Sequence, residues 1–155
     1  MMTSPEPTPF SRLLYTSKQV TGRPKRKGAD IDELVELSAR RNASCGLTGV
    51  LLQMEDTFIQ ALEGPPEALY ETFERICCDS RHENINLIEL SPVNERLFDQ
   101  WDMAKLSYDQ GTDITFRKGI ENICFLINVN SKDVVMELRR HLEMVSGNLV
   151  RGAVH

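Results

Sequence analysis

The chain has 155 residues and a formal net charge of −5, with 41% hydrophobic and 26% charged residues. That fits one globular domain, which buries about 70% of its unfolded surface without a covalent staple, and it argues against a general nucleic-acid binder, which carries a basic face. No apolar run reaches the ~20 residues that span a bilayer, and Cys45, Cys77, Cys78 and Cys124 show neither CxxC nor zinc-type His spacing, so neither a membrane span nor a metal site is expected.

Met1 to Pro9 is rich in Pro, Ser and Thr and has no apolar core of a leader, so residues 1–9 are expected to be a disordered tail. Phe10 to Thr16 reads as a strand, with Leu13 and Tyr15 on one face and Leu14 and Thr16 on the other. Lys18 to Gly28 is a loop containing the basic run Arg23 to Lys27, read as a solvated connector. Asp30-Ile31-Asp32-Glu33 has the form of a capping box. Ile31, Leu34, Val35 and Ser38 then recur at helical spacing, and the helix runs to about Asn42, with Gly46 helping to stop it. Leu47 to Met54 is nearly all apolar, as in a strand covered on both faces. After the turn at Glu55-Asp56, Thr57 to Glu63 reads as a third strand.

Gly64-Pro65-Pro66 breaks that strand and opens a helix, since Pro suits a first helical turn. Leu69, Phe73, Ile76 and Cys77 form its apolar stripe, and it ends near Asp79-Ser80. Cys77 and Cys78 are expected to pack as small apolar groups. All four thiols are expected to be free, in a reducing cytoplasmic compartment. Ile85 to Leu90 reads as a fourth strand, stopped by Pro92, and Met103 to Tyr108 as a fifth. Ile120 to Val129 fits helix or strand, with helix favoured. Ser131-Lys132-Asp133 opens a last helix carrying Val134, Val135, Leu138, Leu142 and Val145.

This order predicts an α+β fold: a ferredoxin-like βαββαβ core with an added fifth strand in a mixed sheet. Two helices would lie on one face, with the C-terminal helices covering Leu14, Ile59 and Ala61 on the other. The first and third strands are expected side by side and parallel, ~4.8 Å apart, so that Tyr15 and Gln60 become neighbours facing the first two helices.

Three polar residues stand out. Tyr15 alone reads as a core tyrosine with a satisfied hydroxyl, and Asn42 alone as an ordinary helix-end residue. Gln60 is harder to dismiss, because an inward Gln needs up to four hydrogen-bond partners and an unpaired buried amide costs roughly 1–3 kcal/mol. Together the three suggest that the polar edge of a ligand enters between helix and sheet. Leu34 and Ile76 are placed to sit on opposite faces of something flat, with Leu51 and Phe58 as the floor. An apolar slot with a few convergent amides is the usual description of a cofactor pocket.

The stretches Leu14-Tyr15-Thr16-Ser17, Asn42 to Leu52, Phe58 to Gly64 and Phe98 to Met103 resemble, in order and spacing, the BLUF family of flavin-binding blue-light sensors. The similarity covers about Leu13 to Leu106. The family's tyrosine, asparagine and glutamine match Tyr15, Asn42 and Gln60. Its LTGxL and FxQxLEG strands match Leu47 to Leu51 and Phe58 to Gly64, its D-x-R-H ending matches Asp79 to His82, and its Trp-x-Met matches Trp101 and Met103. There are departures. The segment from Tyr15 to Asn42 is longer and more basic than usual, Arg41 precedes Asn42, Asp56-Thr57 stands where a Gly is common, and Ala61 replaces a larger residue.

The resemblance implies a photosensory domain over residues 10–110 and a C-terminal helical extension over 111–155. It implies FAD as cofactor, with FMN or riboflavin open, bound between the two helices. Asn42, Gln60, Arg41, Leu34, Leu51, Phe58, Ile76, Asp79, Arg81 and His82 would hold it. Light would drive an electron from Tyr15 to the flavin and a proton through Gln60, leaving Gln60 rotated or tautomerised and the absorption shifted to the red. Trp101 and Met103 would relay the change. The tail after Tyr108 is short for a catalytic output domain, so the expected action is non-enzymatic and in trans, on a downstream signalling protein, with homo-oligomerisation and without membrane or direct nucleic-acid contact. One rival is an acylphosphatase-like enzyme, but Thr16 to Arg23 has the wrong form for its anion nest. The alternative is a flavin-free ferredoxin-like interaction module, which the intact Tyr15, Asn42 and Gln60 speak against.

Overall fold

The structure is a computed structural model that describes residues 10–19, 28–79, 82–107, 114–127 and 129–146, with the side chains of 28–34, 82, 107, 114–117, 145 and 146 outside the description. The expectations for residues 1–9, for the basic run Arg23 to Lys27, for Arg81 and for the side chains of Ile31, Leu34, His82 and Val145 therefore lie outside the described residues.

The elements, in order, are β1 (Phe10–Gln19), α1 (Gly28–Cys45), β2 (Thr48–Met54), β3 (Thr57–Gly64), α2 (Pro66–Cys77), β4 (His82–Val93), β5 (Ala104–Ser107), α3 (Ile114–Leu126) and α4 (Ser131–Ser146). The five strands form one sheet in the order β4-β1-β3-β2-β5. This is the predicted ferredoxin-like α+β core with an added fifth strand.

Strand direction corrects one expectation. β1 runs antiparallel to β3, with Tyr15 opposite Gln60, where a parallel pair was expected. The cause is topological. The crossover through α1 returns β2 parallel to β1, and the tight turn at Glu55-Asp56 then reverses the chain into β3, so the strand between β1 and β2 must oppose both. β4 and β1 are also antiparallel, and the only parallel pair among the described strands is β2 with β5. The neighbourhood of Tyr15 and Gln60 survives, because the side-chain period of two is the same in either direction.

Several boundaries also shift. α1 begins at Gly28, so Asp30 lies inside the helix and not at its cap. Pro92 does not stop β4, which continues to Val93 with Pro92 opposite Ser11. β4 is an edge strand, where a missing N–H costs no ladder bond on the open side. At the start of α4, Asn130 Oδ1 accepts from the Asp133 N–H at 3.3 Å, so the capping residue is Asn130, one before the expected Ser131.

Alternation along the strands sorts the core into two layers. Leu13, Tyr15, Leu47, Leu51, Phe58, Leu62 and Met103 pack with Val35 of α1 and Leu69 of α2. Leu14, Val50, Leu52, Ile59, Ala61 and Leu106 face the other way, against Ile120 and Ile123 of α3 and Val134, Val135, Leu138 and Leu142 of α4. The C-terminal helices cover the second face, as predicted.

Candidate functional site

The site lies at the end of α1. Gly46 takes φ +75°, a left-handed conformation that glycine adopts without a Cβ penalty, and the Leu47 N–H bonds back to the Asn42 carbonyl at 2.8 Å. This is a Schellman closure, and it fixes Asn42 in the last turn of the helix. The Asn42 side chain is buried, and its Nδ2 donates to the Asp102 carbonyl at 2.7 Å. Asn42 therefore ties α1 to the chain that enters β5.

Tyr15 and Gln60 face each other across β1 and β3. The Tyr15 hydroxyl donates to Gln60 Oε1, and Gln60 Nε2 donates to Met103 Sδ at 3.6 Å. A thioether is a weak acceptor, so most of the donor capacity of Gln60 remains unused among the described residues. The Tyr15 ring packs against Phe73 of α2, centroid to centroid 5.7 Å. Its pKa is pushed well above the ordinary tyrosine value, first by burial and then by the negative charges of Cys77 and Asp79 nearby. Tyr15 therefore keeps its proton to higher pH than an ordinary tyrosine.

Above this pair is a cleft of about 150 Å³ between α1 and α2. Some 10–15 Å³ holds one water, so there is room for a ring-sized group. From the sheet side Leu51, Phe58 and Leu62 line it beside Tyr15 and Gln60, as expected of a floor, Met103 adds a thioether, and the helices contribute Val35, Asn42 and Ile76. Arg41, Arg75 and Asp79 stand around the opening.

The structure therefore brings Tyr15, Gln60, Asn42, Arg41, Leu51, Phe58, Ile76, Asp79 and Met103 around one cleft. Trp101 goes elsewhere. It is buried in the other layer with Phe98, and its indole N–H finds no acceptor among the described residues. Residues 101–103 precede the first residue of β5, so their side chains do not follow strand alternation. Cys77 and Cys78 are exposed, which corrects the expectation that they pack. Cys77 is the last residue of α2 and Cys78 its C-cap, where the helix leaves the sheet.

Sequence reasoning missed Ser17, Ser38, Thr72 and Arg75, which also line the cleft. Ser17 was findable, since it lies two residues beyond Tyr15 on the same strand face. Helical spacing puts Ser38 on the inward face of α1 but gives it no role, whereas Thr72 and Arg75 sit on a face of α2 that only the packing of the helices turns toward the cleft.

A concave, mainly apolar cleft with convergent amides, set between two helices and a sheet, has the form of a small-molecule or cofactor pocket. Residues 10–104 match the family model described as "BLUF: Sensors of blue-light using FAD", and the chain belongs to that family. It is 32% identical over 98 residues to the photoactivated adenylate cyclase subunit beta of Euglena gracilis, covering 63% of this chain and 11% of that protein. It is 33% identical over 116 residues to the blue light- and temperature-regulated antirepressor BluF of Escherichia coli K12, covering 66% of this chain and 28% of that one. The chain thus spans under a third of the length of either relative. Among solved structures, the dark state of the BLUF protein BlrB superposes with a TM-score of 0.71 at 30% identity, over 89% of this chain and 98% of that one. No helix among the described residues is long and apolar enough to cross a membrane.

Proposed function

We propose that this chain is a blue-light photoreceptor that binds a flavin, FAD by the family's description, in the cleft between α1 and α2. The observation that carries this reading is the continuous chain of contacts from the Tyr15 hydroxyl to Gln60 Oε1 and from Gln60 Nε2 to Met103 Sδ on the cleft floor. The donor set fits a flavin. Asn42 and Gln60 retain amide groups for the polar edge of the ring, Leu51, Phe58 and Ile76 offer apolar contact, and Arg41 stands at the mouth with Arg75. Leu34, Arg81 and His82 belong to the proposed binding set through the family resemblance.

A bound flavin supplies the absorber of blue light and the acceptor for one electron and one proton. Tyr15 is the donor, neutral at ordinary pH as any tyrosine is. Loss of an electron would acidify its hydroxyl, and the existing bond would direct that proton to Gln60 Oε1 while Nε2 gives one up toward the bound group. Return of one electron and one proton would restore Tyr15. Gln60 then holds an altered amide. Rotation or tautomerisation exchanges its donor and acceptor ends, so its bonds to Tyr15 and Met103 cannot both persist. Asn42 Nδ2 holds the Asp102 carbonyl, and its Oδ1 would be available to the polar edge of a bound ring.

Met103 is placed to pass the change to β5, and Trp101 would respond from the opposite layer through the connecting backbone. The sensing unit is residues 10–110, and α3 and α4 of the C-terminal extension cover the second face. The protein acts as a sensor and not as an enzyme, through a downstream protein in trans and through self-association. A relative named as an antirepressor and another named as a cyclase subunit show that BLUF chains occur in proteins of different output.

The test is the absorption spectrum of dark-kept protein before and after blue light. A flavin spectrum that shifts to the red and recovers in the dark supports the reading, and Gln60→Leu removes the shift. A colourless protein that takes up no added flavin leaves the interaction-module alternative.

A further inference from the structure

Glu63 is a carboxylate with no solvent exposure, on the strand that carries Gln60. It faces the second layer, so it takes no part in the cleft. Its Oε1 accepts the Phe98 N–H at 2.7 Å, and its Oε2 accepts the Leu97 N–H at 3.0 Å and Arg12 Nε at 2.7 Å. Arg12 also reaches the Glu95 carbonyl at 3.4 Å. Burying a carboxylate is costly unless it is paired and hydrogen-bonded. Two of the three described partners, the Leu97 and Phe98 amides, belong to the irregular segment between β4 and β5, and the third, Arg12 of β1, reaches the same segment at the Glu95 carbonyl.

The same segment is held at further points. Arg96 donates to the Gly46 carbonyl at 2.7 Å and to Thr48 Oγ1 at 3.2 Å. The Gly49 N–H bonds to the Trp101 carbonyl at 3.0 Å, and Asn42 holds the Asp102 carbonyl. The segment ends in Trp101 and Met103, one in each layer. Gln60 touches this segment at Met103, through its Nε2 bond to the thioether. A segment fixed at its far end transmits a displacement begun there, whereas a loose one absorbs it.

We propose that Glu63 is a positioning residue for the light response: its buried carboxylate clamps residues 95–98, so that a change at Gln60 alters the order of the whole 95–103 segment. This rests on the photoreceptor reading, yet its structural part is testable in the dark. A Gln at 63 keeps one acceptor oxygen but turns an N–H toward groups that are themselves donors, so at least one backbone amide loses its partner.

The experiment is amide hydrogen exchange of the flavin-loaded protein, dark and under blue light, in the native chain and in Glu63→Gln. In the native chain the Leu97 and Phe98 amides should be protected in the dark, and light should speed exchange across 97–103. In Glu63→Gln, dark exchange at these amides should rise about ten- to hundred-fold, as expected for loss of a bond to a charged acceptor. Light should then add little, while the red shift keeps its size. If Glu63→Gln does not fold, Glu63→Asp serves, with an intermediate loss of protection. Unchanged dark protection in the folded variant, or an unchanged light-induced increase, overturns the clamp. A native chain that shifts to the red with no change in exchange over 97–103 overturns it as well. A native chain without any red shift overturns the photoreceptor reading instead, and the dark comparison still decides whether Glu63 holds the segment.

Discussion

Tyr15→Phe removes one oxygen atom from the floor of the cleft. The ring contact with Phe73, 5.7 Å between centroids, is kept, so packing is nearly conserved. What is lost is the hydroxyl bond to Gln60 Oε1. An acceptor left without its donor costs up to about 3 kcal/mol when sealed from water, but Gln60 faces a cleft, so a loss near 1 kcal/mol is expected. For a chain of this length that lowers Tm by about 2–4 °C.

The sign reverses in alkali. An unfolded tyrosine ionises near pH 10, whereas burial, with the charges of Cys77 and Asp79, holds the Tyr15 proton to higher pH. The folded state therefore binds that proton more tightly, and the stability from Tyr15 is intact below about pH 10 and is lost as pH rises beyond it. The Tm gap between the native chain and Tyr15→Phe should close above pH 10 and then invert. The functional readout is the absorption spectrum of both proteins before and after blue light, with melting followed by circular dichroism. Tyr15→Phe should stay yellow and show no red shift with dark recovery. A full shift in that variant would refute Tyr15 as the donor. A colourless variant would make Tyr15 a binding residue instead.

Met103→Ala removes the thioether 3.6 Å from Gln60 Nε2 and should leave the red shift in place while weakening any light-dependent change in self-association, measured by light scattering in dark and light; an undiminished change would exclude the Met103 route. Gly49→Ala would set a Cβ 2.3 Å from the Ala61 carbonyl oxygen of the paired strand, and since backbone cannot yield cheaply, a loss of at least about 1–3 kcal/mol is expected in urea unfolding. Leu138→Ala on α4, fully buried beneath the sheet, should cost about 2–5 kcal/mol; a change near zero in urea unfolding would mean that the C-terminal helices do not pack on the second face.

Local patterns were enough for most of the fold. The alternation of Leu13, Leu14 and Tyr15, and of Phe58, Ile59 and Gln60, assigns each side chain to a layer, because the period of two is a property of the strand itself. Gly46 after Asn42 marks a helix end, because only a residue at ease at positive φ closes it so cheaply. The family resemblance then gave Tyr15, Asn42 and Gln60 their expected roles.

Other features depend on which elements become neighbours, and no local pattern carries that. The direction of β1 against β3 follows from the path of the chain through α1 and the β2–β3 turn. Pro92 is tolerated inside β4 because that strand ends on an edge. Trp101 and Met103 part into opposite layers because the segment before β5 is irregular. Glu63 reads in sequence as one letter of a strand motif. Its meaning comes from the amides of Leu97 and Phe98, more than thirty residues away in the chain, because the sequence can mark a buried charge as needing partners but only the tertiary structure supplies them.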